Sequence, residues 1–412
     1  MAISRRRFLG RSGLVGAGVG AGLAAGVATS AADRPTSSAA VSTVEFFGEH
    51  QAGIATPAQE FVQFGTFDLV SDSVAGLRGL LERWSAAAAL LAAGIPVGAM
   101  RTGSQPPADT GEAVGLGPSR LTVTFGLGPG VFVKDGRDRL GLAARRPAPL
   151  VDLPAFATDV LDPDICGGDL AIQVCADDPQ VAFHGMHELA RIAADAAVPR
   201  WVLAGFGRTG NTSDARTPRN LMGFKDGTAN IVAQDHRALD RFVWARQPGS
   251  PAWMAGGSYL VARRIEIMFG AWDAAGLDAQ EATFGRRKLS GAPLTGSAEH
   301  DRLDLAAERD GLPVIPADAH VRLASPEYNG GQRLLRRGYS YAAGTDAATS
   351  TLAGGQLFLC YQRDPRLAFI PIQRRLASGD ALNQHSQHLG SAIFACPPGA
   401  RRGDFVGAGL FA

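Results

Sequence analysis

The chain has 412 residues with 46 % hydrophobic residues, enough to bury a sizeable core and too many for a wholly disordered chain. A formal charge of +1 removes the electrostatic case for nucleic acid as the main partner. Four cysteines are too few for a small disulfide scaffold and are wrongly spaced for zinc.

The chain opens with Arg5, Arg6, Arg7 and Arg11, and no acidic residue precedes Asp33. An apolar, Gly- and Ala-rich run from Leu14 to Ala32 follows, with small residues at Ala28, Ser30, Ala31 and Ala32. A basic start, an apolar middle and a small-residue exit make an export signal. Ser4-Arg5-Arg6-Arg7-Phe8-Leu9 resembles the twin-arginine motif, whose pathway carries proteins already folded, often around a cofactor. Residues 1–32 are therefore expected to be a twin-arginine signal peptide, and residues 33–42 a disordered leader. Removing 1–32 takes four arginines and no acid, moving the net charge from +1 to −3.

Two halves follow, placed at 43–210 and 211–412. In the first, Glu60–Val70 alternates like a strand and Ser73–Ala92 reads as a helix. Arg120–Gly126 and Asp169–Cys175 read as strands. Asp177, Asp178 and Pro179 signal a helix start, which is expected to run to Ala196. Arg200–Gly205 closes the half as a strand. In the second half, Ser258–Met268, Gln356–Gln362 and Ser391–Cys396 read as strands, and Phe369–Leu376 as a helix. Strand–helix–strand units with long connections suggest an α+β fold, with antiparallel sheets and helices on one side. The irregular stretches 133–168 and 207–257 are long enough to wrap a large ligand.

Gly223-Phe224-Lys225-Asp226-Gly227-Thr228-Ala229-Asn230 is a glycine-framed acidic loop. Its glycines permit close approach to a flat ligand. On its own the segment is better read as a plain turn with Asp226 as a cap. His184 and His187 lie three apart on the second helix and can share one face toward a metal, yet no third ligand stands nearby in sequence, so a half-buried helix face is favoured. His385 and His388 repeat that spacing. His320, in Ala319-His320-Val321-Arg322-Leu323-Ala324-Ser325-Pro326, suits a haem axial ligand, a core position or the surface equally. In Leu334-Leu335-Arg336-Arg337-Gly338-Tyr339-Ser340-Tyr341 at least one arginine is expected to turn inward and bind an anion or a carboxylate. Cys166 and Cys175 flank a strand and are open to a disulfide in an exported protein. Cys360 and Cys396 read as buried small residues.

Taken together, these segments resemble the dye-decolorizing peroxidase family, in its secreted deferrochelatase/peroxidase branch. The resemblance runs through the twin-arginine leader, FGEHQAGIATPAQ from Phe47, CGGDLAIQVCADDP from Cys166, GFKDGTAN, the pair HVRLASP and LLRRGYSY, and Ala395–Gly399. It implies two ferredoxin-like halves with b-type haem, one per chain, in the C-terminal half. Carried over residue by residue, it makes His320 the proximal iron ligand, Asp226 the distal acid–base and Arg336 the distal arginine. Haem contacts fall on Gly227, Thr228, Ala229, Ser325, Pro326 and Glu327, and Asp380 is the candidate carboxylate behind His320. Ser325 departs from the asparagine common in that branch. The implied activity is haem-dependent peroxidation of dyes or phenolic donors by hydrogen peroxide, in a homodimer outside the cytoplasm. The alternatives are recovery of iron from haem, with iron-uptake proteins as partners, or a haem carrier without turnover. An aspartate ordinarily titrates at about 3.9, so peroxidation is expected to be fastest in acid. Trp201, Trp244, Trp253, Trp272, Tyr339 and Tyr341 are candidate electron relays, although each is better read as core packing.

Overall fold

The computed structural model describes residues 42–99, 103–213, 216–246, 250–346 and 350–412. The expected signal peptide, and the leader up to residue 41, lie outside the described residues. In the first half, β1 Phe61–Leu69 leads into α1 Val74–Ala92. Ser73 starts that helix by accepting the Gly76 N–H at 3.0 Å, satisfying one of the free donors of its first turn. β2 Thr122–Leu127 and β3 Leu170–Ala176 follow, buried along their whole length. α2 Pro179–Ala193 is capped by Asp178, which accepts from Gln180 and Val181, and Pro179 stands in its first turn. The helix stops at Ala193, short of the expected Ala196, because β4 Ala197–Arg208 begins directly after the turn. The strands run antiparallel in the order β2-β3-β1-β4. With α1 and α2 as the crossovers, this is the ferredoxin-like β-α-β-β-α-β arrangement.

The second half opens with α3 His236–Phe242 and β5 Ser258–Ile267. Then come α4 Phe269–Ala274, α5 Leu277–Phe284, the small hairpin β6 Glu308–Arg309 and β7 Leu312–Pro313, and the single-turn α6 His320–Leu323. β8 Leu335–Arg336, β9 Tyr339–Asp346, β10 Thr351–Gln362, α7 Phe369–Gly379 and β11 Ser386–Cys396 complete it. The order β9-β10-β5-β11 repeats that of the first half. β8 adds to β10 beyond β9, pairing Arg336 with Cys360.

Two thin seams join the sheets. β11 meets β2 at Ala395 and Leu127, and β9 meets β4 at Ser340 with Phe206 and Tyr339 with Arg208. Because β5 also pairs with β10, eight strands form a closed circuit with no free edge between the halves. Inward residues of both sheets, among them Phe64, Cys175, Leu260, Leu359, Tyr361 and Phe394, form one core. α1 and α2 cover the outer face of the first sheet, where Trp84 stacks on Phe125 and its indole N–H donates to the Leu189 carbonyl at 2.8 Å.

Cys166 and Cys175 are both free thiols, so the open disulfide does not form here. Cys175 instead accepts a hydrogen bond from the Tyr339 hydroxyl at 3.4 Å. Cys360 and Cys396 are buried, as are the six candidate relay aromatics.

Candidate functional site

The acidic loop is pinned to the start of the second half. The Asp226 N–H donates to the Pro218 carbonyl at 2.8 Å, and the Gly210 N–H donates to the Asp226 carbonyl at 2.9 Å. Gly227 sits at φ +126°, and a Cβ there would lie 2.4 Å from the Gly210 nitrogen. Glycine is thus required both by backbone angle and by space. On the loop's other side, Glu299 takes an ion pair from Lys225 and a hydrogen bond from the Thr228 hydroxyl at 3.0 Å. Burial pushes the Glu299 carboxyl up, but its contacts with Lys225, Thr217 and Thr228 outweigh that and hold it below the usual range.

Asp226 is buried and fully engaged. Its Oδ1 accepts from Arg336 Nη1 at 2.5 Å. Its Oδ2 accepts from Gln356 Nε2 at 2.8 Å and from the Thr209 hydroxyl at 3.4 Å. Successive strand residues point to opposite faces, which explains the arginine pair. Arg336 turns to Asp226, while the fully buried Arg337 donates to the Thr56 carbonyl at 2.5 Å and to Gln59. Both arginines therefore face partners, where at least one was expected to.

His320 is the first residue of α6. Its Nδ1 is 2.6 Å from Asp380 Oδ2, which fixes that nitrogen as the donor and leaves Nε2 as the lone-pair nitrogen. Asp380 is itself held, accepting the Leu382 N–H at 2.9 Å on its other oxygen. Burial pushes the His320 imidazole down, but the Asp380 charge and hydrogen bond outweigh it, so the net shift is upward.

Asp226, Arg336, His320 and Asp380 all line one cavity of about 590 Å³, within the range of pockets for cofactor-sized ligands. Gly227, Thr228, Ala229, Ser325 and Pro326 line it too. Glu327 does not: it lies on the turn Pro326–Tyr328 with its side chain exposed, so the expected contact is absent from the cavity wall. Ile265, Ile267, Phe284 and Phe358 supply apolar wall. Arg286 and Arg333 line the cavity as well and are cations available to an anionic group. Burial holds the Arg286 guanidinium below its ordinary value.

These residues fit haem. The Ser325 hydroxyl on the wall is buried without a hydrogen-bond partner. A single imidazole oriented by a carboxylate, among apolar walls, is the donor set a haem iron takes from protein.

Gln356, Thr209 and Asn230 were not singled out as site residues from sequence. Asn230 stands in the quoted loop, whereas Gln356 reaches Asp226 from the middle of β10 and Thr209 from just after β4, 130 and 17 residues away.

The Dyp-type peroxidase N-terminal model matches residues 51–207 and the C-terminal model residues 217–401. A dye-decolorizing peroxidase of Thermobifida fusca is 46 % identical over 376 residues, covering 87 % of this chain and 83 % of that protein. A deferrochelatase of Escherichia coli K12 is 36 % identical over 372 residues, covering 89 % and 86 %. Among solved structures, a DyP-type peroxidase of Streptomyces coelicolor superposes with a TM-score of 0.81 at 42 % identity, covering 89 % of this chain and 96 % of that one. Ferric DtpA of Streptomyces lividans gives 0.81 at 42 %, covering 90 % and 98 %. With both halves matched and the same α+β fold, this chain belongs to the Dyp-type peroxidase family and is a haem-dependent peroxidase.

Proposed function

We propose that the cavity holds b-type haem with His320 as its protein ligand, and that Asp226 and Arg336 act on hydrogen peroxide beside it. The observation that carries this is the pairing within one cavity. Asp226 is clamped by Arg336, and His320 is clamped by Asp380.

Peroxide must lose a proton from one oxygen and gain one on the other, which then leaves as water. The Asp226 carboxylate takes the first proton and returns it to the departing oxygen. Arg336 presents donors to the charge that develops there. Gln356 and Thr209 hold Oδ2 so that the carboxylate stays aimed. Asp380 holds the His320 ring and raises its basicity as a ligand. Bound haem supplies the two electrons that cleave the peroxide bond, later replaced one at a time by an organic donor.

The visible spectrum tests the assignment. Purified protein is expected to show a Soret band with a histidine-ligated ferric signature, and His320→Ala to lose that signature. An unchanged spectrum and haem content in His320→Ala contradicts the ligand assignment.

Relatives named deferrochelatase support a second reading, in which the chain recovers iron from haem and passes it to iron-uptake proteins. Intact protoporphyrin recovered after incubation with haem would favour it. Export by the twin-arginine route rests on Arg5, Arg6 and the apolar run after them. Pairing as a homodimer rests on the family resemblance, and light scattering of the holoprotein tests it.

A further inference from the structure

A second buried polar centre lies apart from the haem cavity, where the long connection from α1 to β2 crosses α2. His184, His187 and Glu188 stand on α2, and Asp109, Thr110 and Glu112 come from the connection. Glu112 bridges the two histidines, with Oε2 2.7 Å from His184 Nδ1 and Oε1 2.7 Å from His187 Nδ1. The carboxylate makes His184 Nδ1 the donor, so the lone pair of a neutral ring sits on Nε2. That nitrogen is turned toward Asp109 Oδ2 at 3.5 Å.

One ligand atom from each of Asp109, His184 and Glu188 lies within 4.8 Å of the others, and all three residues are buried. The two carboxylates are oriented from behind. Asp109 accepts the Gly111 and Val97 N–H groups, each at 2.8 Å. Glu188 Oε1 accepts the Thr110 N–H at 2.8 Å, the Thr110 hydroxyl at 2.5 Å and Arg191 Nη1 at 2.9 Å. The carboxylates of Asp109, Glu112 and Glu188 thus gather around His184, with Arg191 paired to Glu188.

We propose that Asp109, His184 and Glu188 bind one divalent transition-metal ion of the zinc class, with Glu112 as the carboxylate that orients the ligand histidine. Ligands about 2.1 Å from a tetrahedral zinc stand about 3.4 Å apart, close to the 3.5 Å between His184 Nε2 and Asp109 Oδ2. The fourth position is open to water. The carboxylate behind the histidine completes the usual orienting arrangement. The metal would clip the connection between Ala92 and Thr122 to α2, so its effect is on the fold and not on peroxide chemistry.

The test uses holoprotein dialysed against EDTA and then titrated with Zn2+ alone, comparing wild type with Asp109→Asn, Glu188→Gln and His187→Ala. Wild type is expected to retain one Zn2+ per chain after gel filtration and to melt at a higher temperature with Zn2+ than without. Asp109→Asn and Glu188→Gln, each nearly isosteric, are expected to weaken binding at least tenfold while the Soret band persists, which reports that they fold. His187→Ala is expected to bind within about threefold of wild type. The proposal is overturned if wild type retains no Zn2+, or if Asp109→Asn and Glu188→Gln retain it as wild type does. It is also overturned if His187→Ala alone abolishes retention, since the ion would then sit on the partly exposed His187.

Discussion

Asn230 holds Arg336 by both faces of its backbone. Its Nδ2 donates to the Arg336 carbonyl at 2.8 Å, and its Oδ1 accepts the Arg336 N–H at 2.9 Å. The same Nδ2 reaches the Gly210 carbonyl at 2.9 Å. One amide therefore ties the acidic loop to the strand that carries the arginine, four residues after Asp226. Asn230→Ala removes all three bonds and lets the two groups drift apart. Misplacement on the scale of an ångström costs about 100-fold in rate. The expected result is a kcat reduced about 10- to 100-fold with haem content unchanged, read by steady-state peroxidation and the Soret absorbance. Wild-type kcat in Asn230→Ala would show that the tie has no kinetic role.

Asp380→Asn keeps the size of the side chain and removes its charge. Behind a ligand histidine, loss of such a partner costs about 10- to 100-fold in affinity or activity. Haem transfer to an excess of apomyoglobin should therefore be faster from Asp380→Asn than from wild type. Equal transfer rates would remove Asp380 from the account.

Gln356 Nε2 donates to Asp226 Oδ2 at 2.8 Å. Gln356→Leu leaves that oxygen with the Thr209 hydroxyl alone, at 3.4 Å. A roughly tenfold fall in kcat is expected, together with a changed pH–rate profile, which a purely structural role would leave alone. Wild-type peroxidation itself is expected to persist at about pH 4 with at most about a twofold rise to pH 8, since a carboxylate base is already largely ionised in acid where an imidazole base is protonated. A rise of about tenfold or more across that interval counts against a carboxylate as the base.

His388, on β11, gives a pH dependence of stability. Burial, followed by the positive charge of Arg263, pushes its imidazole down to about 3. Arg263 Nε lies 3.3 Å from His388 Nδ1 and donates to it, so the fold holds the neutral ring. The folded value is below the unfolded one of about 6.5, so this contribution is complete above about pH 6.5 and is lost as pH falls toward 3. The slope approaches about 1.4 kcal/mol per pH unit for one proton. Urea unfolding at several pH values should show a shallower acid loss in His388→Gln than in wild type. Parallel curves would show that His388 does not bind the proton on unfolding.

The strands of the two sheets were legible where alternation is strong. β1 and β3 appear within a residue of their expected ends, because β1 alternates from Phe61 to Phe64 and β3 is a nearly continuous apolar run buried on both faces. β9 was not legible. Its sequence from Tyr339 mixes tyrosine with Ser340, Ala342 and Gly344, and it holds its place through β10 and a two-pair seam with β4. Within the site, the motifs pointed to Asp226, Arg336, His320 and Asp380, and these line one cavity. Gln356 and Thr209 carry no local signal, since only the closed circuit of strands brings them to Asp226. The pair His184 and His187 looked like a helix face without a third ligand. The carboxylates that meet them sit on a connection more than 70 residues earlier, where no periodicity announces them.

The account turns most directly on Asp226. Steady-state peroxidation by Asp226→Ala, with haem content fixed by the Soret band, measures its role alone. The expected result is a fall of about 100- to 10,000-fold in turnover with the band retained, the range a positioned acid–base group contributes. A haem-loaded Asp226→Ala protein that turns over at the wild-type rate would contradict the mechanism.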